Sequence, residues 1–291
     1  MNHGLTTILS FFAFATGACI ASFLNVVIWR LPRGESLVRP PSHCPKCGAR
    51  IRWHQNIPIL AWLALRGRCA SCKTPISPRY VLIETLGGCL FLAAFFRVFG
   101  WRPPQAAYLD WAPWLELVVL WTWLSFMIVG SMIDFDHQLL PDFVTVGGMI
   151  LGVTAHAVLT MTAVLACPPH SAAQILVCPI VPSLLGLGLG FGLLWLVRHF
   201  GSKAFGREAM GMGDVFLMGA VGALFGPIAV LFTLVLSSVF GSIVGLGLVA
   251  LSKTRLGTFV EIPYGPYICL GCLAWIFCGR EVLAFYLRLT T

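Results

Sequence analysis

Charge is what this chain has least of. Asp, Glu, Lys and Arg make up only 10% of its 291 residues, and the acids number 11. Against that stand 58% hydrophobic residues and a mean hydropathy of +0.88. A soluble fold of this length cannot cover so much apolar surface with so few charges, which leaves an all-α polytopic membrane protein. No repeat of 20–50 residues and no low-complexity tract is present, apart from a Gly-rich run at 186–192 that favours close helix packing. The first apolar run also lacks a basic stretch before it. It is long and ends on Trp29-Arg30-Leu31-Pro32-Arg33, a basic stop, so it reads as a retained span and not a cleaved signal.

Runs of about twenty apolar residues can cross a bilayer as helices. Candidates lie at 5–29, 80–99, 113–133, 141–164, 179–199, 213–226, 228–251 and 264–287. About eight transmembrane helices are expected, with six or seven as the alternatives. The sixth run is short and ends at Gly226-Pro227; the last is interrupted by Gly279-Arg280-Glu281. Three parts are expected: a first transmembrane helix (1–29), a polar segment (30–79) and a transmembrane remainder (80–291) that carries the chemistry.

The polar segment holds ten of the 19 basic residues (Arg30, Arg33, Arg39, Lys46, Arg50, Arg52, Arg66, Arg68, Lys73, Arg79) against one acid, Glu35. Positive residues near helix ends stay cytoplasmic, so this segment lies inside and the N-terminus outside. Alternating the spans puts 134–140, 200–212 and 252–263 inside too, where Lys203, Arg207, Lys253 and Arg255 agree; the opposite side has only Arg102. Topology thus accounts for the charge, and nucleic acid is not an expected partner. Anionic lipid headgroups are.

Four of the 11 cysteines form Cys44-x2-Cys47-x21-Cys69-x2-Cys72. This is zinc-site spacing, one residue beyond the usual second gap. Four thiolates would close a tetrahedral structural site and supply folding energy that so short a loop cannot get from packing. Unligated thiols or labile disulfides are the alternative, disfavoured in a reducing cytoplasm. His43 and His54 offer substitute ligands, but Cys₄ is simpler. Across the membrane, Cys167 and Cys178 either pair or stay free.

Two acidic steps interrupt the apolar runs: Asp134-Phe135-Asp136-His137 through Pro141-Asp142, and Gly211-Met212-Gly213-Asp214. An ionisable residue there is a functional-site hypothesis. Two carboxyls brought together share one proton, so one can activate water while the other polarises a carbonyl. Asp134 and Asp136 would point about 200° apart on a helix, so one of them faces a partner. Asp134, adjoining the apolar span, is the better candidate; Asp136 and His137 read as solvated or tuning residues. Pro141 suits a first helical position, which puts Asp142 in the first turn as a structural acid. Asp214 is either the second catalytic acid or a helix cap. Gly211 and Gly213 leave room for an extended substrate to approach.

At these residues the chain resembles the type IV prepilin peptidases, membrane aspartic proteases. The similarity also covers Ala21 through Pro32, the Cys quartet with Asn56-Ile57-Pro58 and Arg66-Gly67-Arg68-Cys69, then Arg79-Tyr80 with Glu84, and Ile262-Pro263-Tyr264-Gly265-Pro266. The resemblance implies that Asp134 and Asp214 are the catalytic pair. It implies cleavage of the basic leader from type IV prepilins or type II secretion pseudopilins at the cytoplasmic edge of the bacterial inner membrane. It also implies methylation of the new N-terminal residue from S-adenosylmethionine, an activity associated with the Cys-containing domain and its step Gly67-Arg68. The sequence itself offers no glycine-rich strand–turn–helix motif for that donor. One position departs: the family commonly has Lys two residues after the second Asp, and Phe216 stands here.

Two rivals use the same residues. In a proton-coupled transporter the acids would be relay groups, expected at several depths; here they fall on one side. In a zinc-ribbon membrane adaptor the aspartates would be indifferent.

Overall fold

The computed structural model describes residues 2–101, 106–166, 178–251 and 263–290. Cys167, one half of the Cys167–Cys178 alternative, and the loop basics Arg102, Lys253 and Arg255 lie outside the described residues. Regular structure among the described residues is helical, apart from two isolated bridges, His43 with Arg50 and Arg68 with Pro75. Seven long helices follow in order: α1 (Asn2–Arg30), α2 (Pro78–Phe99), α3 (Trp111–His137), α4 (Asp142–Ala166), α5 (Ile180–Phe205), α6 (Met212–Leu251) and α7 (Gly265–Thr290).

Six of them, α1 to α6, are long and apolar enough to cross a membrane, and Gly265–Gly279 of α7 is a shorter apolar helix. At 1.5 Å per residue α6 would be about 60 Å long, twice the hydrocarbon core. It does not run straight: Gly226, before Pro227, adopts φ 82°, ψ −178° and divides it in two. The sixth and seventh expected segments are these two halves, which brings the helical segments to the expected eight. In the eighth the apolar stretch ends at Gly279, as the interruption of the run suggested, while α7 itself stays helical from Gly265 to Thr290. A Cβ at Gly279 would sit 2.5 Å from the Trp275 ring, so the glycine makes room for that ring within the helix.

The chain forms two compact units, Met1–Val129 and Gly130–Thr291. In the first, α1 packs on α2 at small residues. A Cβ on Gly17 would lie 2.5 Å from the Gly87 carbonyl oxygen, and one on Gly87 would lie 2.5 Å from the Ala21 Cβ. Such close approach maximises van der Waals contact where lipid supplies no hydrophobic drive. Phe91 of α2 stacks on Trp121 (centroids 4.9 Å apart, 13° between planes), whose indole N–H donates to the Phe91 carbonyl at 3.1 Å. Between α1 and α2 lies the polar segment. Glu84, buried on α2, reaches back to accept the Ile59 N–H at 2.8 Å, fixing a residue held at φ 62°.

In the second unit α5 and α6 meet backbone to backbone, as the Gly-rich run suggested. Gly186 lies against the carbonyl of Gly222, and Gly190 against that of Met218, with no space for a Cβ at either. Gly188 and Gly192 face open space. Ser183 donates to the Ala223 carbonyl at 2.7 Å, and Gly152 of α4 abuts the same residue. Gly271 of α7 lies against the carbonyl of Thr233 on α6.

Candidate active site

The second unit brings the end of α3 and the starts of α6 and α7 to one place. Asp134 lies one turn before the end of α3, which stops where Gln138 takes φ 52°. It is buried, with 6% of its surface exposed, whereas Asp136 and His137 on the same helix are exposed. That is the split expected of residues two apart on a helix. The Oδ2 of Asp134 accepts the N–H of Gly265, the first residue of α7, at 3.0 Å. A free amide at a helix N-terminus is a ready anion partner. A Cβ on Gly265 would sit 2.6 Å from that oxygen, so the contact requires glycine.

Asp214 lies in the first turn of α6 and is 8% exposed. The backbone of Gly211 bonds its carboxyl, which realises the expected helix-start contact. Its Oδ1, however, is buried with no hydrogen-bond partner. A carboxyl satisfied on one oxygen and bare on the other is not fully explained as a cap. The sequence leaves open whether positions 134 and 214 meet. In the folded chain Asp134 and Asp214 come near enough for the charge of one to act on the other, and both act on Cys269 of α7.

Leu140 packs against the glycine beside each acid's anchor. Its side chain fills the space beside Gly213, where a Cβ would come within 2.8 Å, and beside Gly265, where one would come within 3.2 Å. Gly213 therefore makes room for Leu140 and not for an incoming chain; Gly211 is the exposed glycine of the pair. Asp142 lies in the first turn of α4, where its sequence position puts it, and is exposed. Phe216 packs on Phe191 of α5, with ring centroids 5.8 Å apart.

Sequence reading gave the step Pro263-Tyr264-Gly265 no role beyond resemblance. Its function is positional. The Tyr264 hydroxyl bonds Ser237 Oγ at 2.8 Å and Ser238 Oγ at 3.4 Å, tying the start of α7 to the second half of α6. The Tyr264 contacts span 27 and 26 positions and the Gly265 contact with Asp134 spans 131, so no local pattern could have announced them.

The cysteine quartet assembles within the first unit. All four Sγ atoms lie within 4.8 Å of one another, with Cys44 and Cys72 at 3.8 Å. Tetrahedral Zn–S bonds of about 2.3 Å imply S–S separations of about 3.7 Å, so the set fits zinc. Each Cys pair closes a turn: Gly48 N–H donates to Cys44 O at 2.9 Å, and Lys73 N–H to Cys69 O at 3.1 Å. Amide N–H groups of Cys47 and Lys46 hold the Cys44 thiol below its ordinary pKa, and the Thr74 hydroxyl brings Cys72 down to about 6. Both effects favour the thiolates a metal takes, while Cys47, despite the Ala49 amide, is pushed up to about 11 by burial and the neighbouring thiols. His43 bonds the Pro41 carbonyl, His54 packs on Trp53, and neither joins the cluster. Gly67 is buried at φ 65° beneath Trp62 and accepts from Ile76 N–H at 2.7 Å, while Arg68 is exposed beside it.

Two family models match the chain: the bacterial peptidase A24 N-terminal domain over residues 15–98 and the type IV leader peptidase family over residues 121–246. Among similar proteins, the prepilin leader peptidase/N-methyltransferase of Myxococcus xanthus is 39% identical over 86% of this chain, which spans 66% of that protein. The protein of the same name from Stutzerimonas stutzeri is 32% identical over 95% of this chain and 93% of its own length. The type 4 prepilin-like proteins leader peptide-processing enzyme of Escherichia coli is 35% identical over 90% of this chain and 91% of its own. No solved structure matches the chain.

Proposed function

We infer, from the premise that this chain belongs to the type IV leader peptidase family, that it is a membrane aspartic peptidase that removes the leader from prepilins and N-methylates the exposed residue. The observation that carries the peptidase reading is two buried carboxyls, Asp134 at the end of α3 and Asp214 in the first turn of α6, near enough for their charges to act on one another. We assign Asp134 and Asp214 as the catalytic pair, with Gly211, Gly213, Asp136 and Asp142 in supporting roles. Asp134 already accepts an amide N–H and suits the base that activates water. Asp214, with an unpartnered Oδ1, suits the acid that hydrogen-bonds the scissile carbonyl. One face of the pair must admit an extended junction, and the exposed backbone at Gly211 offers it.

The substrate chemistry follows from the membrane. A basic leader stays in the cytoplasm by the same rule that orients this chain, while the hydrophobic pilin helix stays in lipid. The junction then meets the acids at the cytoplasmic edge of the bacterial inner membrane. The clients are type IV prepilins or type II secretion pseudopilins. Residues 30–79 form the cytoplasmic zinc-binding domain, with zinc a structural ion held by Cys44, Cys47, Cys69 and Cys72, and residues 80–291 form the peptidase part.

S-adenosylmethionine is the methyl donor of this reading and would supply an electrophilic methyl group to the new amine. A cavity beside Arg30 carries no carboxylate for its ribose or its positive charges and does not fit it, so no step is routed through the donor. Gly67 and Arg68 remain the residues proposed for methyl transfer.

Co-expression with a prepilin carrying a Gly/Phe junction tests the reading. The wild type should yield shortened, methylated pilin by mass spectrometry, and Asp134→Ala or Asp214→Ala should leave full-length precursor while the enzyme still inserts. Processing by both variants would falsify the assignment. Proton flux in proteoliposomes without cleavage would favour the transporter.

A further inference from the structure

The charge that folding leaves uncompensated is Arg30, at the end of α1. Its side chain is buried, with 8% of the residue exposed. Its hydrogen bonds go to two carbonyls, Ser36 O at 2.9 Å and Pro40 O at 2.8 Å, and it forms no ion pair among the described residues. Carbonyl dipoles satisfy some of its five N–H groups but do not cancel its charge. A guanidinium in this state calls for an anion.

A cavity of about 360 Å³ opens beside it. One wall is a stripe of α1 at helical spacing, Cys19, Ser22, Phe23 and Val26, leading up to Arg30. From Cys19 to Arg30 that stripe runs about 16 Å along the span. The facing wall belongs to the polar segment, including Leu37 and Val38, and no lining residue is acidic. The cavity is thus a groove of mixed lining on a membrane helix: Phe23, Val26, Leu37 and Val38 form its apolar side, Ser22, Ser42 and Asn56 add polar groups, and a buried cation stands at the polar edge. Its surroundings are basic, ten cations to one acid over 30–79.

We propose that this groove binds one anionic phospholipid, its phosphate on Arg30 and part of an acyl chain along Cys19, Ser22, Phe23 and Val26. S-adenosylmethionine is the alternative a methyltransferase invites, but it carries a net positive charge, and the lining offers it a cation and no acid. Free phosphate would satisfy Arg30 and leave the apolar wall exposed. The lipid satisfies both, and adds attraction from the basic loop. The site would couple the polar segment to membrane composition, because Leu37, Val38 and Pro40 belong to it.

The test uses the purified full-length protein in nanodiscs of graded phosphatidylglycerol and phosphatidylcholine, with lipid retained after detergent extraction counted by native mass spectrometry. The wild type should retain phosphatidylglycerol over phosphatidylcholine by about tenfold. Arg30→Gln should bring that ratio to about one, and Val26→Trp, which fills the groove and leaves Arg30 in place, should expel the lipid. Equal retention of the two lipids by the wild type, or an unchanged preference in a folded Val26→Trp protein, overturns the proposal. So does displacement of the retained lipid by S-adenosylmethionine or by glycerol phosphate. The readout is bound lipid and not cleavage, so it stands or falls apart from the peptidase assignment.

Discussion

At Gly265 a missing side chain decides the geometry of a carboxylate 131 positions away. Gly265→Ala would set a methyl group 2.6 Å from the Asp134 oxygen it now bonds, and the carboxyl must move. Displacements near 1 Å at a reacting group cost about 10²-fold in rate. Cleavage by Gly265→Ala is therefore expected to fall by about that factor, with the melting temperature of the purified protein near wild type; unchanged turnover would remove Gly265 from the site. Tyr264→Phe should act more mildly, losing one hydrogen bond worth about 1 kcal/mol to stability. The division between Asp134 and Asp136 was legible in the sequence, because helical geometry makes neighbours two apart face different ways. The exposed first-turn placement of Asp142 was legible for a similar reason, since capping chemistry is local. Leu140 and Gly265 were not legible. Their roles arise from contacts between distant elements, and neither residue type advertises them. Gly213 was read in the wrong direction: the space it leaves goes to Leu140 and not to an incoming chain.

Among the helices, the α5–α6 contact makes the sharpest prediction, because its glycines divide by face. Gly186→Val pushes a side chain into the backbone of α6 and should cost about 3 kcal/mol or more, seen as loss of folded protein after extraction. Gly188→Ala points into open space and should change stability by less than about 1 kcal/mol. Equal effects would mean that the two helices do not meet on this face. The Gly-rich run announced close packing, but not which of its glycines face the partner, since that depends on the rotation of both helices. The break at Gly226 was legible from Gly-Pro chemistry, and the end of the apolar stretch at Gly279 from the charges that follow it, whereas the packing of the Trp275 ring against Gly279 was not. The zinc turns were readable from spacing alone, since each Cys pair makes its own local turn. Metal analysis of the purified protein should find about one zinc per chain, lost in a Cys44→Ser/Cys47→Ser variant and retained in Cys269→Ser. A folded, metal-free wild type would remove zinc from the account.

For the whole molecule, scarcity of charge places the chain in lipid, and the orientation proposed for it rests on the distribution of its few cations. Lys203→Cys should gain one maleimide label only after the inner membrane is opened, and Leu109→Cys should gain one in intact cells; the reverse pattern would invert the topology. The central claim is that two acids, 80 positions apart in sequence, work as one unit. Groups that act together lose their effects non-additively. The direct measurement is the cleavage rate of a purified prepilin by the wild type, Asp134→Ala, Asp214→Ala and the double variant, each checked for folding by its melting temperature. The account predicts that each single change costs about 10³-fold or more and that the double variant is no slower than either. A single variant within about tenfold of wild type, or a double variant whose loss is the product of the two, would contradict it.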